Sequence, residues 1–197
     1  MPDDIRILHE MIKKTATIPI GRDAYQKKRQ VTLDEPEEPT TGNVTITGLP
    51  DHAIVIKADK FSSPDTVFAC SNGECKRADF IIVADTGKKR VILCIEMKAR
   101  KTAQRNGNKY IIQQLKGAQC FIGYCREIGK SFWQSPNFLD NYEYRFINIA
   151  PNNIPRRETR VYPKMGTHDE PEKMLKVRNP KHGHLEFNQL AGKGNLT

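Results

Sequence analysis

The spacing of apolar residues changes along this chain from helical to strand-like and back. Ile5, Leu8, Met11 and Ile12 recur at helical intervals behind Pro2-Asp3-Asp4. The two acids suit the positive end of a helix dipole, so a short amphipathic helix is predicted there. Residues 15–30 read as irregular or weakly helical, and Asp34-Glu35-Pro36-Glu37-Glu38-Pro39 reads as an acidic, proline-broken loop. Val44-Thr45-Ile46-Thr47 and Ala53-Ile54-Val55-Ile56 read as two strands around the turn Gly48-Leu49-Pro50-Asp51. Another strand is predicted over 66–70, followed by a hairpin turn at Asn72-Gly73. Its partner starts near Lys76 and runs through Phe80-Ile81-Ile82-Val83-Ala84. After a turn at Asp85-Thr86-Gly87-Lys88 comes RVILCIEMK, residues 90–98, the most apolar strand and so the expected centre of the sheet.

The period then lengthens. Tyr110, Ile111, Gln114, Leu115, Ala118, Phe121, Ile122 and Cys125 mark a helix over roughly 103–128, with Gly129 suited to its end. Residues 143–149 return as a strand. Beyond Pro151 the chain is polar and proline-marked, with short strands expected at 159–162 and 184–187. Helix, antiparallel strands, long helix and strand make an α/β (α+β) core around one sheet. The division is an N-terminal helix and irregular arm over 1–42, a core over 43–150, and a basic C-terminal extension over 151–197.

Composition narrows the class. The 197 residues are 38% hydrophobic and 28% charged, with a mean hydropathy of −0.62. No stretch approaches the ~18 apolar residues of a membrane-spanning helix, and the first residues lack the apolar run of a secretory signal. A cytoplasmic protein without membrane contact is expected. The net charge is +9, and it is concentrated. Residues 1–40 hold seven basic and eight acidic side chains, whereas residues 88–109 hold eight basic and one acidic. A focused basic stretch points to a polyanion partner, nucleic acid being the commonest. An odd count of five cysteines points to free thiols in a reducing compartment. Cys70/Cys75 and Cys120/Cys125 share a C-x4-C spacing. Five positions along a helix separate the second pair around the axis, so zinc is not expected. Cys94 and Cys120 read as buried structural thiols.

One constellation carries chemistry. Asp79 opens a strand, and Glu96-Met97-Lys98 closes the next. Alternation puts Glu96 and Lys98 on one face, ~7 Å apart along the backbone. Asp79 on the adjacent strand can share that face. Two carboxylates are hard oxygen ligands suited to Mg²⁺, and the main-chain carbonyl of Met97 lies between the two side chains. Such an ion polarises a phosphate and lowers the pKa of a bound water, which a lysine can orient. Arg100, Lys101, Arg105 and Lys109 follow directly and are suited to gripping phosphates. No G-x-x-x-x-G-K-[ST] loop occurs, which argues against nucleotide-driven chemistry. The plainer explanation is a salt bridge between Glu96 and Lys98 at a strand end, with Asp79 capping a turn.

Over residues 65–128 this pattern resembles the PD-(D/E)xK nuclease superfamily, which includes many restriction endonucleases. The resemblance implies a restriction-endonuclease-like core with a central mixed sheet flanked by helices. It implies a Mg²⁺-dependent phosphodiesterase, with Mn²⁺ able to substitute, that leaves 5′-phosphates. It assigns the metal to Asp79, Glu96, the Met97 carbonyl and a helical Glu, for which Glu10 is the candidate. It assigns catalysis to Asp79, Glu96, Lys98 and a polar residue of the following helix, Gln114 ahead of Gln113. The family's Pro position is Ala78 here. DNA is expected as substrate ahead of RNA, in a defence or mobile-element setting, and a homo-oligomer would provide two sites for two strands. The alternative is a non-catalytic nucleic-acid-binding module with the same fold.

Overall fold

Two sheets, rather than the one expected, organise the chain. The computed structural model describes residues 3–25, 27–34, 43–97, 107–150, 168–178 and 183–192. Among them the order is α1 (Asp3–Met11), β1 (Gly21–Arg22), β2 (Arg29–Leu33), β3 (Val44–Thr47), β4 (His52–Lys57), β5 (Phe80–Asp85) and β6 (Arg90–Met97). There follow α2 (Gly107–Phe132), β7 (Glu143–Ala150), β8 (Leu175–Arg178), β9 (His184–Glu186) and α3 (Phe187–Ala191).

The larger sheet runs β4-β5-β6-β7-β8. Its first three strands are antiparallel, and β6, β7 and β8 are parallel. A parallel neighbour requires a crossover, and α2 supplies it between β6 and β7. On one face Ile54, Ile81, Ile92, Cys94 and Phe146 pack with Ile5 and Leu8 of α1 and with Leu115, Ala118 and Ile122 of α2. On the other, Val55, Ile82, Leu93 and Ile147 meet Val31 and Ile46 of the smaller sheet and Phe187 and Leu190 of α3. Cover on both faces explains why β5 and most of β6 are apolar without alternation.

The smaller sheet, β1-β2-β3-β9, pairs β3 antiparallel with β2 and parallel with β9. The arm before residue 42 therefore supplies β1 and β2 of this sheet, and the extension after residue 151 supplies β9 here and β8 of the larger sheet. The two strands expected around the 48–51 turn do form, but they enter different sheets. Gly48 there has a φ of +75°.

Other expectations need correction. Residues 66–70 form no strand, because Pro64–Thr66 is a 3-10 turn and a Cys70–Cys75 disulfide closes the loop that follows. Asn72-Gly73 is the tip of that loop rather than a hairpin turn, and β5 begins only at Phe80. The free-thiol expectation thus fails for Cys70 and Cys75. It holds for Cys94, Cys120 and Cys125, although Cys120 is exposed, not buried. Burial pushes the Cys125 thiol up to about 12. The long helix does not end at Gly129. A Cβ at that position would collide with the Phe138 ring, so glycine serves close packing there, and the helix runs on to Phe132. The strand expected at 159–162 lies outside the described residues. Among the described residues no helix is long and apolar enough to cross a membrane.

Candidate active site

The β5–β6 register brings the two sequence-predicted carboxylates together. Phe80 pairs with Ile95, and one step further along the antiparallel ladder sets Asp79 opposite Glu96. Asp79 is fixed at both its main chain and its side chain. Its carbonyl accepts a hydrogen bond from Ala58 N at 2.9 Å. Its Oδ2 accepts one from Met97 N at 2.6 Å, which orients the carboxylate across the end of β6.

Glu96 is 1% exposed. It shares a face with Ile92 and Cys94, which lie under α2. The parallel register places Asn148 of β7 beside it, and Lys176 of β8 beside Asn148. A polar row, Asp79 at the entry to β5, Glu96, Asn148 and Lys176, therefore runs across one edge of an otherwise apolar face. A carboxylate buried in such a place is costly unless a cation or hydrogen bonds compensate it.

The first turns of α2 cover this row. Lys176 Nζ donates to Asn108 Oδ1 at 3.2 Å, tying β8 to the start of the helix. Gln114 lies on the stripe of Ile111, Leu115 and Ala118 that faces the sheet. Its Oε1 is buried without a hydrogen-bond partner, as is Oδ1 of Asn148. The helix lies close to the chain entering β5, an approach that glycine at 117 permits, since a Cβ there would collide with the carbonyl oxygen of Lys76. Gln113 Nε2 donates to Asn72 O at 2.8 Å, so Gln113 anchors the disulfide loop and leaves Gln114 as the glutamine directed at the sheet.

The remaining sequence-predicted residues fall as follows. Met97 contributes its N–H to Asp79, while its side chain turns to the other face among the residues packed on the smaller sheet. Lys109 is exposed on the first turn of α2. Lys98, Arg100, Lys101 and Arg105 lie outside the described residues. Glu10 does not join the site. It accepts hydrogen bonds from Arg6 at 2.7 Å and from Trp133 Nε1 at 2.8 Å, and both hold its carboxyl below the usual range. Trp133 follows α2, whose last residue, Phe132, lies about 27 Å along the helix from Gln114. Helical spacing gave α1 correctly but not the end of the sheet over which it lies.

Among the described residues no cluster of three or more His, Cys, Asp or Glu side chains forms a metal cage. Two hard carboxylate donors on adjacent strands fit Mg²⁺, which keeps several waters and shares a substrate phosphate. They do not fit zinc, which takes a fuller set of sulfur or nitrogen ligands.

Sequence reasoning passed over Asn148, Lys176 and Arg77. A signal existed for Asn148: in Tyr144, Phe146, Asn148 the inward positions of a buried strand end on an amide. Arg77 gave none, because the chain entering β5 was expected to be regular strand. Comparison with protein-family models, with curated proteins and with solved structures finds nothing that matches this chain.

Proposed function

We propose that this chain is a metal-dependent nuclease that hydrolyses phosphodiester bonds, most readily in DNA, on a restriction-endonuclease-like core. The observation that carries the proposal is the register-opposed pair of Asp79 and buried Glu96 under the first turns of α2. The order of antiparallel β4-β5-β6, crossover helix and parallel β7 supports it. When bound, Mg²⁺ supplies Lewis-acid polarisation of the scissile phosphate and a water of lowered pKa.

The chain's own residues do the rest. Asp79 and Glu96 present oxygen donors, the first oriented by Met97 N–H. Ile111 and Leu115 cover the same edge and exclude bulk water, which strengthens every charge interaction beneath them. Gln114 offers a buried amide for orienting a water or a phosphate oxygen. Lys98 is assigned to orient the attacking water and to stabilise charge on the phosphate. Lys109 and the basic stretch before it attract the strand without reading its sequence.

The test is cleavage of supercoiled plasmid by the wild type and by Glu96→Ala and Lys98→Ala in Mg²⁺, Mn²⁺ or EDTA. The proposal expects metal-dependent nicking that falls at least about a thousandfold in both variants. Folded wild type that leaves the plasmid intact with either metal contradicts it.

A further inference from the structure

Beside the polar row lies a cavity of about 530 Å³ lined by Asp59, Asp65, Cys70, Cys75, Lys76 and Arg77, among others. It sits between the disulfide loop and the segment that leaves β4. Arg77 is its unusual member. Its Nε and Nη1 are buried and donate no hydrogen bond. Arg29 and Arg126 also bury an Nε without a hydrogen bond, but each has a carboxylate close by, Asp51 at 3.6 Å and Asp140 at 3.4 Å. Among the described residues no carboxylate pairs with Arg77. A guanidinium is always charged, and its fork matches the oxygens of a phosphate.

The surroundings shape what Arg77 can hold. Lys76 Nζ donates to Tyr110 Oη at 2.8 Å and lies 4.3 Å from that ring's centre, so the ammonium is held at the rim. Asp59 is drawn toward Lys60 at 3.8 Å. A lining with two cations and two carboxylates suits a group that carries both an anion and hydrogen-bond donors. A nucleotide unit has both, and the volume lies within the range of small-molecule pockets. Arg77 also stands two residues before Asp79 on the same chain segment.

We propose that this cavity is a phosphate subsite in which Arg77, assisted by Lys76, holds a backbone phosphate of the nucleic-acid strand next to the one at Asp79 and Glu96. The assignment of the ligand to a strand rests on the nuclease reading; the binding of phosphate by Arg77 does not. Arg77 is a positioning residue, since it acts on a neighbouring phosphate and not on the reacting one.

The test is fluorescence anisotropy with a labelled twelve-nucleotide single-stranded DNA in EDTA, so that no turnover occurs. Wild type, Arg77→Gln and Arg77→Lys are compared over a range of salt, with circular dichroism confirming the fold. The proposal expects Arg77→Gln to weaken binding about tenfold and to lower the slope of log affinity against log salt by about one. Arg77→Lys should restore the slope and part of the affinity. Unchanged affinity and slope in Arg77→Gln overturns the subsite, as does wild type that does not bind at low salt. Displacement of the strand by an equal concentration of thymidine monophosphate overturns its placement on a strand. Arg77-dependent binding without any plasmid cleavage leaves the subsite standing and counts against the nuclease reading alone.

Discussion

Where β6 and β7 begin, buried charge is closed upon itself; where they end, buried polar atoms without hydrogen bonds lie under the first turns of α2 and beside a cavity. At the first end Asp85, 5% exposed, accepts from Arg90 Nε at 3.0 Å and from Gly87 N at 2.7 Å. Arg145 donates to Glu143 at 2.6 Å and to the carbonyls of Tyr144 and Ala191. His168 Nε2 meets Leu190 O at 2.8 Å. The polar atoms left over there are His168 Nδ1, Tyr142 Oη and the Nε of Arg29 and Arg126, and each of those two guanidinium groups lies beside a carboxylate, Asp51 or Asp140. At the other end the amide oxygens of Gln114 and Asn148 and two guanidinium nitrogens of Arg77 are buried without hydrogen bonds. Closed networks dock α3 and specify the fold. Buried polar atoms left open on one edge store a cost that a ligand can relieve.

The largest effect on stability should come from breaking the closed end. Arg145→Ala removes the buried guanidinium that ties Glu143 and Tyr144 to Ala191 and leaves only Lys89 on the Ala191 carbonyl and the Glu143 carboxylate, and should cost about 3 kcal/mol in urea unfolding. A loss below about 1 kcal/mol would show that this end is no more committed to stability than the other. The second effect concerns the clasp beside the open end. Replacing Cys70 and Cys75 by serine frees a short loop and should cost about 2 kcal/mol. Calorimetry of the oxidised wild type and the double variant measures it.

How far the sequence reached divides along the same line. The segment 90–97 was legible because an apolar run bounded by a turn admits a buried strand, and its partner 80–85 followed from the same turn. Once both were in place, Asp79 and Glu96 had to face one another. The smaller sheet was not legible. Its strands come from three distant segments, and β3 lies so near β4 in sequence that a hairpin was the natural expectation. Cys70 and Cys75 read as free thiols because an odd cysteine count without an export signal points to a reducing compartment, and spacing alone does not show that the loop between them closes. Gly129 looked like a helix end, since glycine serves both caps and close contacts and only Phe138 decides between them. Glu10 has the right chemistry and the wrong end of α2.

Two smaller predictions sharpen the comparison. Glu96→Gln keeps the shape of the side chain and removes a carboxylate oxygen donor, and should abolish cleavage while the chain stays folded. The same neutralisation at the closed end, Asp85→Asn, should lower stability, because it weakens the contact with Arg90. Plasmid cleavage by the first variant and thermal unfolding of the second beside wild type measure the two effects. The smallest effect concerns pH. Burial, with Arg145 and Lys89 nearby, holds the His168 imidazole below its ordinary range, against the opposing Leu190 carbonyl. The unfolded chain then takes up a proton first as the medium acidifies. Stability should fall as pH drops below about 6.5, continue falling through the lower folded value, and level off beneath it. Urea midpoints of wild type and His168→Gln between pH 8 and pH 5 measure this, and the variant should show the shallower decline.

The most direct test of the central claim is Mn²⁺ binding followed by electron paramagnetic resonance, with and without a short DNA duplex. The account predicts that wild type binds Mn²⁺, more tightly with DNA present, and that Asp79→Asn and Glu96→Gln each abolish the binding while remaining folded. Equal Mn²⁺ binding by wild type and both variants would contradict it.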